Sequence, residues 1–121
     1  MVIKSYKDLT VWQKAYKLSL LIYLLTKAFP KEELYTLVSQ MRRAAISIPS
    51  NIAEGYCRQR KLEYIQFLLI AFASGAELET QLLITKDLGY ISEVEFGKVN
   101  NLLQEVMKML NSLINKVKTS S

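Results

Sequence analysis

With 121 residues, half of them hydrophobic, and a formal charge of +5, the chain is long and apolar enough for one folded domain and too apolar to stay disordered. It holds no histidine and one cysteine, Cys57. That excludes histidine-based acid–base catalysis, hydrolysis by a serine or cysteine paired with histidine, an internal disulfide and a structural zinc site.

The positive balance favours anionic partners such as nucleic acid, although many soluble proteins are as basic. There is no Gly-rich phosphate loop, and two prolines and four glycines imply long regular elements with short turns. Residues 1–8 are polar and carry no secretory signal. The longest apolar block, residues 18–25, is too short for a bilayer, which needs about 20 residues. The expectation is a cytoplasmic protein with no membrane association, cofactor, metal or evident small-molecule substrate.

In chain order, residues up to 9 read as a short extended arm. Thr10-x-x-Gln13 forms a capping box, with Ser5-x-x-Asp8 as a competing start. The first helix is expected over about 11–28. Trp12, Ala15, Tyr16, Ser19, Ile22, Tyr23 and Phe29 define its apolar side, and Leu18, Leu20, Leu21, Leu24 and Leu25 widen it almost all round. Such a helix is buried on more than one side, here against a neighbouring subunit. Phe29-Pro30 stops it.

The second helix, over 32–57, is the centre of the chain. Leu34, Leu37, Val38, Met41, Ala45, Ile48, Ile52 and Tyr56 share one face. The opposite stripe, Thr36, Gln40, Arg43, Ser47, Asn51 and Glu54, is short hydrogen-bonding side chains around one arginine. It suits a polar protein surface or a nucleic acid, or is an ordinary solvated face. Pro49 implies either a break at Ile48 or a kink. The apolar spacing passes through it unbroken, which favours a kinked, continuous helix.

The third helix is expected over 61–88, with Leu62, Ile65, Leu69, Phe72, Ala76 and Leu83 on its apolar face. The small residues Ala71, Ala73, Ser74, Gly75 and Ala76 allow close approach at its middle. Gly89 caps its end, and Ser92-x-x-Glu95 opens the fourth helix, over 93–117. There Val99, Leu103, Val106, Leu110, Leu113 and Val117 form a heptad-like seam. Short loops make consecutive helices antiparallel. The fold class is therefore all-α, an up-down-up-down antiparallel four-helix bundle in a single domain over residues 1–121.

If the turn between the second and third helices centres near Gln59, Arg43 lies opposite Gly75 and Ser47 opposite Ala71. Arg42 or Arg43 is then expected to pair with Glu77 or Glu79. The result is a partly buried polar layer of Arg43, Ser47, Asn51, Glu77 and Glu79, which fixes register more than it stabilises. Arg58, Arg60 and Lys61 gather at the turn, beside a helix N-terminus that itself favours anions, and suit a phosphate. Glu54 is placed to pair with Arg58. Tyr56 and Tyr64 lie near enough to stack on bases, or are core residues. The carboxylates Glu54, Glu63, Glu77, Glu79 and Asp87 lack the histidines that a di-metal bundle needs.

Several segments together resemble one bacterial family: residues 8–15 (DLTVWQKA), Phe29-Pro30 with Glu32-Glu33, residues 40–45 (QMRRAA), residues 47–55 (SIPSNIAEG), Phe67-Leu-x-Ile-Ala71, Glu77-Leu-Glu79 and residues 88–91 (LGYI). These are the four-helix-bundle proteins encoded in intervening sequences of large-subunit ribosomal RNA genes, and the resemblance spans nearly the whole chain. It implies a small cytoplasmic bundle that assembles as a homopentamer. It also implies a distant similarity to the accessory protein of diversity-generating retroelements, a basic pentamer that binds nucleic acid and a reverse transcriptase. Where the family pattern has a serine near position 60, able to cap the third helix with Glu63, this chain has Arg60. That loses a cap worth about 1 kcal/mol and gains a charge.

The sequence thus implies a non-enzymatic oligomeric accessory that contacts RNA or DNA phosphates through Arg42, Arg43, Arg58, Arg60 and Lys61, with Lys14 and Lys17 as further candidates. The alternative is a protein-interaction scaffold without nucleic-acid binding.

Overall fold

The structure, a computed structural model, describes residues 4–120; the first three residues of the expected arm, and Ser121, lie outside it. Four helices, α1 (Thr10–Thr26), α2 (Ser39–Tyr56), α3 (Lys61–Asp87) and α4 (Glu93–Thr119), form the bundle. Each packs against the next, and α4 closes back on α1.

The chain enters α1 differently from the extended arm expected. Tyr6–Asp8 is a 3-10 turn in which the Ser5 hydroxyl accepts from the Lys7 N–H and the Asp8 carboxylate accepts from the Ser5 N–H. Ser5-x-x-Asp8 is therefore the box that forms. Leu9, without a side-chain cap, precedes α1, and Gln13 donates instead to the Lys7 carbonyl at 2.8 Å. The approach to α2 also departs from a plain α-helix. Lys31–Glu33 is a 3-10 turn and Leu34–Val38 a π-helical turn, and α-geometry starts at Ser39.

α2 is continuous through Pro49. A proline has no N–H for the carbonyl four residues earlier, so Ala45 loses its helical partner. The Ser19 hydroxyl of α1 reaches that oxygen at 3.0 Å and the Ala15 carbonyl of its own helix at 3.1 Å. One buried serine thus satisfies the acceptor that the proline orphans and ties α1 to α2.

Leu18, Ile22, Met41, Ile48, Ile52, Leu68, Leu78, Leu82, Leu103, Val106 and Leu110 are fully buried and make the centre of the core. On α4 the heptad seam points inward from Val99 to Leu110. On α3 the inward face is Ile65, Leu68, Ala71, Gly75, Leu78 and Leu82, so that of the residues the sequence favoured only Ile65 is buried and Phe72 packs partly against the core. Leu62, Leu69, Ala76 and Leu83 point to solvent. The mean hydropathy of α3 reaches 1.5 over 18 residues, enough by length and composition to cross a membrane. A helix apolar on every side gives periodicity little to choose between.

α3 ends at Leu88, and Gly89, at φ +78°, turns the chain. Ser92 and Glu95 form their capping box at 3.0 and 2.9 Å. Tyr90, in the loop between α3 and α4, packs on Phe29 and donates to Glu33 at 2.8 Å, so the two loops at that end are joined.

Candidate nucleic-acid interface

The up-down-up-down topology brings the start of α1, the α2–α3 turn and the end of α4 to one end of the bundle. Lys4, Lys7, Arg58, Arg60, Lys61, Lys116 and Lys118 gather there against Asp8, Glu54 and Glu63. The opposite end carries Lys27, Lys31, Lys86 and Lys98 against Glu32, Glu33, Asp87, Glu93 and Glu95. The positive surplus of the chain therefore sits at the turn end. Lys116 and Lys118 belong to this cluster but are far from it in sequence. Their position becomes legible only once α4 is known to run back to the turn.

Within the cluster the residues have distinct roles. The Arg58 guanidinium lies 4.9 Å over the Phe67 ring, a cation–π contact that leaves it exposed. Lys61 donates to the Ser120 carbonyl and so joins the start of α3 to the end of α4. Arg60 precedes α3 in extended conformation, with no side-chain hydrogen bond to the first-turn N–H groups. A 27-residue helix thus opens toward the basic end with its amides uncapped. Glu54 forms no ion pair with Arg58 among the described residues.

Tyr56 and Tyr64 pack edge to face at 6.1 Å, both partly buried. Burial, and secondarily the Tyr56 ring beside it, push the Tyr64 phenol up to about 12, so it stays protonated. They form a wall between α2 and α3 rather than a free stacking platform.

Arg42 and Arg43 lie elsewhere, about 24 Å of helix from the turn. Arg42 donates from Nε to the Thr26 hydroxyl at 3.0 Å and stacks over Tyr23 at 4.6 Å. Arg43 is exposed. The expected pairing with Glu77 or Glu79 is not formed. Glu77 accepts from Gln81, Glu79 from Gln104 of α4, and the ion pair found among the described residues is Lys14–Glu105 at 2.9 Å, which engages one of the further phosphate candidates. The polar layer between α2 and α3 is instead Ser47, Asn51 and Ser74. The Ser47 and Ser74 hydroxyls are 2.8 Å apart, and Asn51 donates to the Ser47 carbonyl and hydroxyl at 2.7 and 2.9 Å. Ser47 meets Ser74 rather than Ala71: the turn, residues 57–60, does centre near Gln59, but the two helices sit about three residues away from the level match that this centre implies. Among the described residues no three carboxylates or cysteines converge as a metal group.

The model of the 23S rRNA-intervening sequence protein family matches residues 7–112, from the turn before α1 into the last turns of α4. The chain belongs to this family. Among solved structures it is similar to a protein of unknown function from the S23 ribosomal protein family of Bacteroides thetaiotaomicron. The identity is 26%, covering 90% of this chain and 98% of that one, with a TM-score of 0.81. No curated protein matches. Neither the family description nor the solved neighbour names an enzymatic activity.

Proposed function

We propose that the protein is a non-enzymatic, oligomeric accessory that binds the phosphates of RNA or DNA in the cytoplasm with its basic end. The observation that carries this reading is that Arg58, Arg60 and Lys61, at the uncapped start of α3, share one end of the bundle with Lys116 and Lys118 of α4, to which Lys61 is joined through the Ser120 carbonyl. Arg60 and Lys118 are exposed and form no ion pair among the described residues, and Arg58 offers its outer edge. Arg42 and Arg43 lie apart from this end, on the α1–α2 side beside the exposed Tyr35. The assembly expected from the family resemblance is a ring of five, which would present the basic end five times and multiply weak contacts into avidity.

The test is fluorescence anisotropy of a labelled single-stranded RNA with the wild type and with Arg60→Glu/Lys118→Glu. Binding at low salt that the reversal weakens at least tenfold, with melting unchanged, supports the reading. Equal binding by both proteins contradicts it. A protein-interaction scaffold is the second reading, favoured by the apolar side chains that α1 and α3 leave exposed.

A further inference from the structure

α1 and α3 occupy opposite corners of the bundle, and each turns an apolar face to solvent. On the α1 side, Tyr16, Leu20, Tyr23 and Ile46 of α2 border a groove of about 400 Å³. Tyr16 and Leu20 are 50% and 53% exposed. At Tyr23 and Ile46 the groove continues into a second hollow beside Arg42 and Arg43.

On α3 the exposed residues Leu62, Leu69, Ala73, Ala76 and Leu83 lie on one helical stripe, interrupted at the intervening positions by Gln66 and Thr80. Only 39% of the most apolar 18-residue stretch of this helix is buried, so one bundle leaves much of it uncovered. An exposed apolar stripe of this kind marks a surface built for contact.

We infer that the occupant of the α1–α2 groove is the outer seam of α3 from a second copy. This rests on the oligomeric part of the proposed function and specifies which faces meet. The groove is walled by large side chains, and the seam is small at its centre, at Ala73 and Ala76, which leaves room for Tyr16 and Leu20 of the other copy. The charges are complementary. Lys27, Arg42 and Arg43 lie along the groove side, while Glu77 and Asp87 are exposed on the seam side. Arg43 and Glu77 form no ion pair among the described residues, which leaves their charges to the neighbouring copy. Because the two faces differ and lie at opposite corners, each copy can give one and take one. The contact is head-to-tail and propagates until a ring closes.

Two exposed positions test this in analytical ultracentrifugation: Leu20→Asp blocks the groove and Ala76→Arg blocks the seam. Each variant alone is expected to sediment as a single chain while keeping its helical circular dichroism and melting. Mixed one to one, they are expected to form a two-chain complex and nothing larger, since Leu20→Asp keeps a good seam and Ala76→Arg keeps a good groove. Two results overturn the assignment of faces but leave oligomerisation standing: either variant assembling as the wild type does, or a mixture that stays single-chain. A wild type that is itself a monomer overturns the oligomeric reading and gives the groove another occupant.

Discussion

The Ser19 hydroxyl of α1 lies 3.0 Å from the carbonyl oxygen of Ala45 on α2, the acceptor that Pro49 leaves without a helical partner. A proline inside a core helix is tolerated here because a serine on the facing helix supplies the missing hydrogen bond. Ser19→Ala should therefore cost about 1–3 kcal/mol in urea denaturation, the penalty for a buried unsatisfied carbonyl. In a Pro49→Ala background residue 49 regains its N–H, and the same change should cost less than about 1 kcal/mol. Equal costs in both backgrounds would separate Ser19 from Pro49.

Gly55 lets α2 and α3 approach closely. A Cβ there would lie 2.7 Å from Phe67 Cβ and 3.1 Å from Tyr64 Cδ1. Gly55→Ala should destabilise by about 1–3 kcal/mol through overpacking. A Cβ added at Gly97, on α4, would meet nothing within 4 Å. Gly97→Ala should stabilise by about 0.5–1 kcal/mol through helix propensity. Thermal melts of the two variants should move in opposite directions.

The two adjacent arginines of α2 should behave differently. Arg42→Ala loses the bond to Thr26 and the stacking on Tyr23, and should cost about 1–2 kcal/mol. Arg43→Ala and Arg60→Ala remove exposed side chains and should stay within about 0.5 kcal/mol of wild type under conditions where the chain is monomeric. Of the two arginines that the sequence offers for an inter-helix contact, Arg42 makes one, to α1 rather than to α3.

Glu33 connects to acid stability. Its carboxylate accepts from the hydroxyls of Thr36 and Tyr90, which hold its pKa below the ordinary glutamate value. The ionised form is favoured in the fold, so this contribution is complete above the unfolded pKa and is lost as pH falls through the folded one. The melting-temperature gap between wild type and Tyr90→Phe should be open near pH 6 and shrink toward about pH 3. A gap that does not vary with acid would mean the Tyr90 hydroxyl adds nothing through Glu33.

Local signals in the sequence are reliable where a few neighbouring residues settle the outcome. Ser92 and Glu95 cap α4, Gly89 turns the chain after α3, and the apolar spacing carries α2 through Pro49. Signals that depend on a partner helix are not. Reckoned from a turn at Gln59, the polar layer falls three residues out of register on α3, because the turn centre does not fix how the two helices are staggered. Thr10 has no cap because a 3-10 turn sets the direction from which the chain enters α1. The inward face of α3 cannot be chosen from a helix apolar all round, and nothing local marks the π-helical turn at Leu34–Val38. At the site, Arg58, Arg60 and Lys61 are visible in the sequence as a cluster, whereas Lys116 and Lys118 join them only through topology.

The salt dependence of RNA affinity tests the central claim most directly. If the basic end binds phosphates, log K for the wild type should fall linearly with log salt. The slope should be about 0.7 per contacted phosphate on a single strand. Reversing Arg60 and Lys118 should flatten it by the contacts they make. No measurable RNA or DNA binding at low salt, or a slope that the reversal leaves unchanged, would contradict the account.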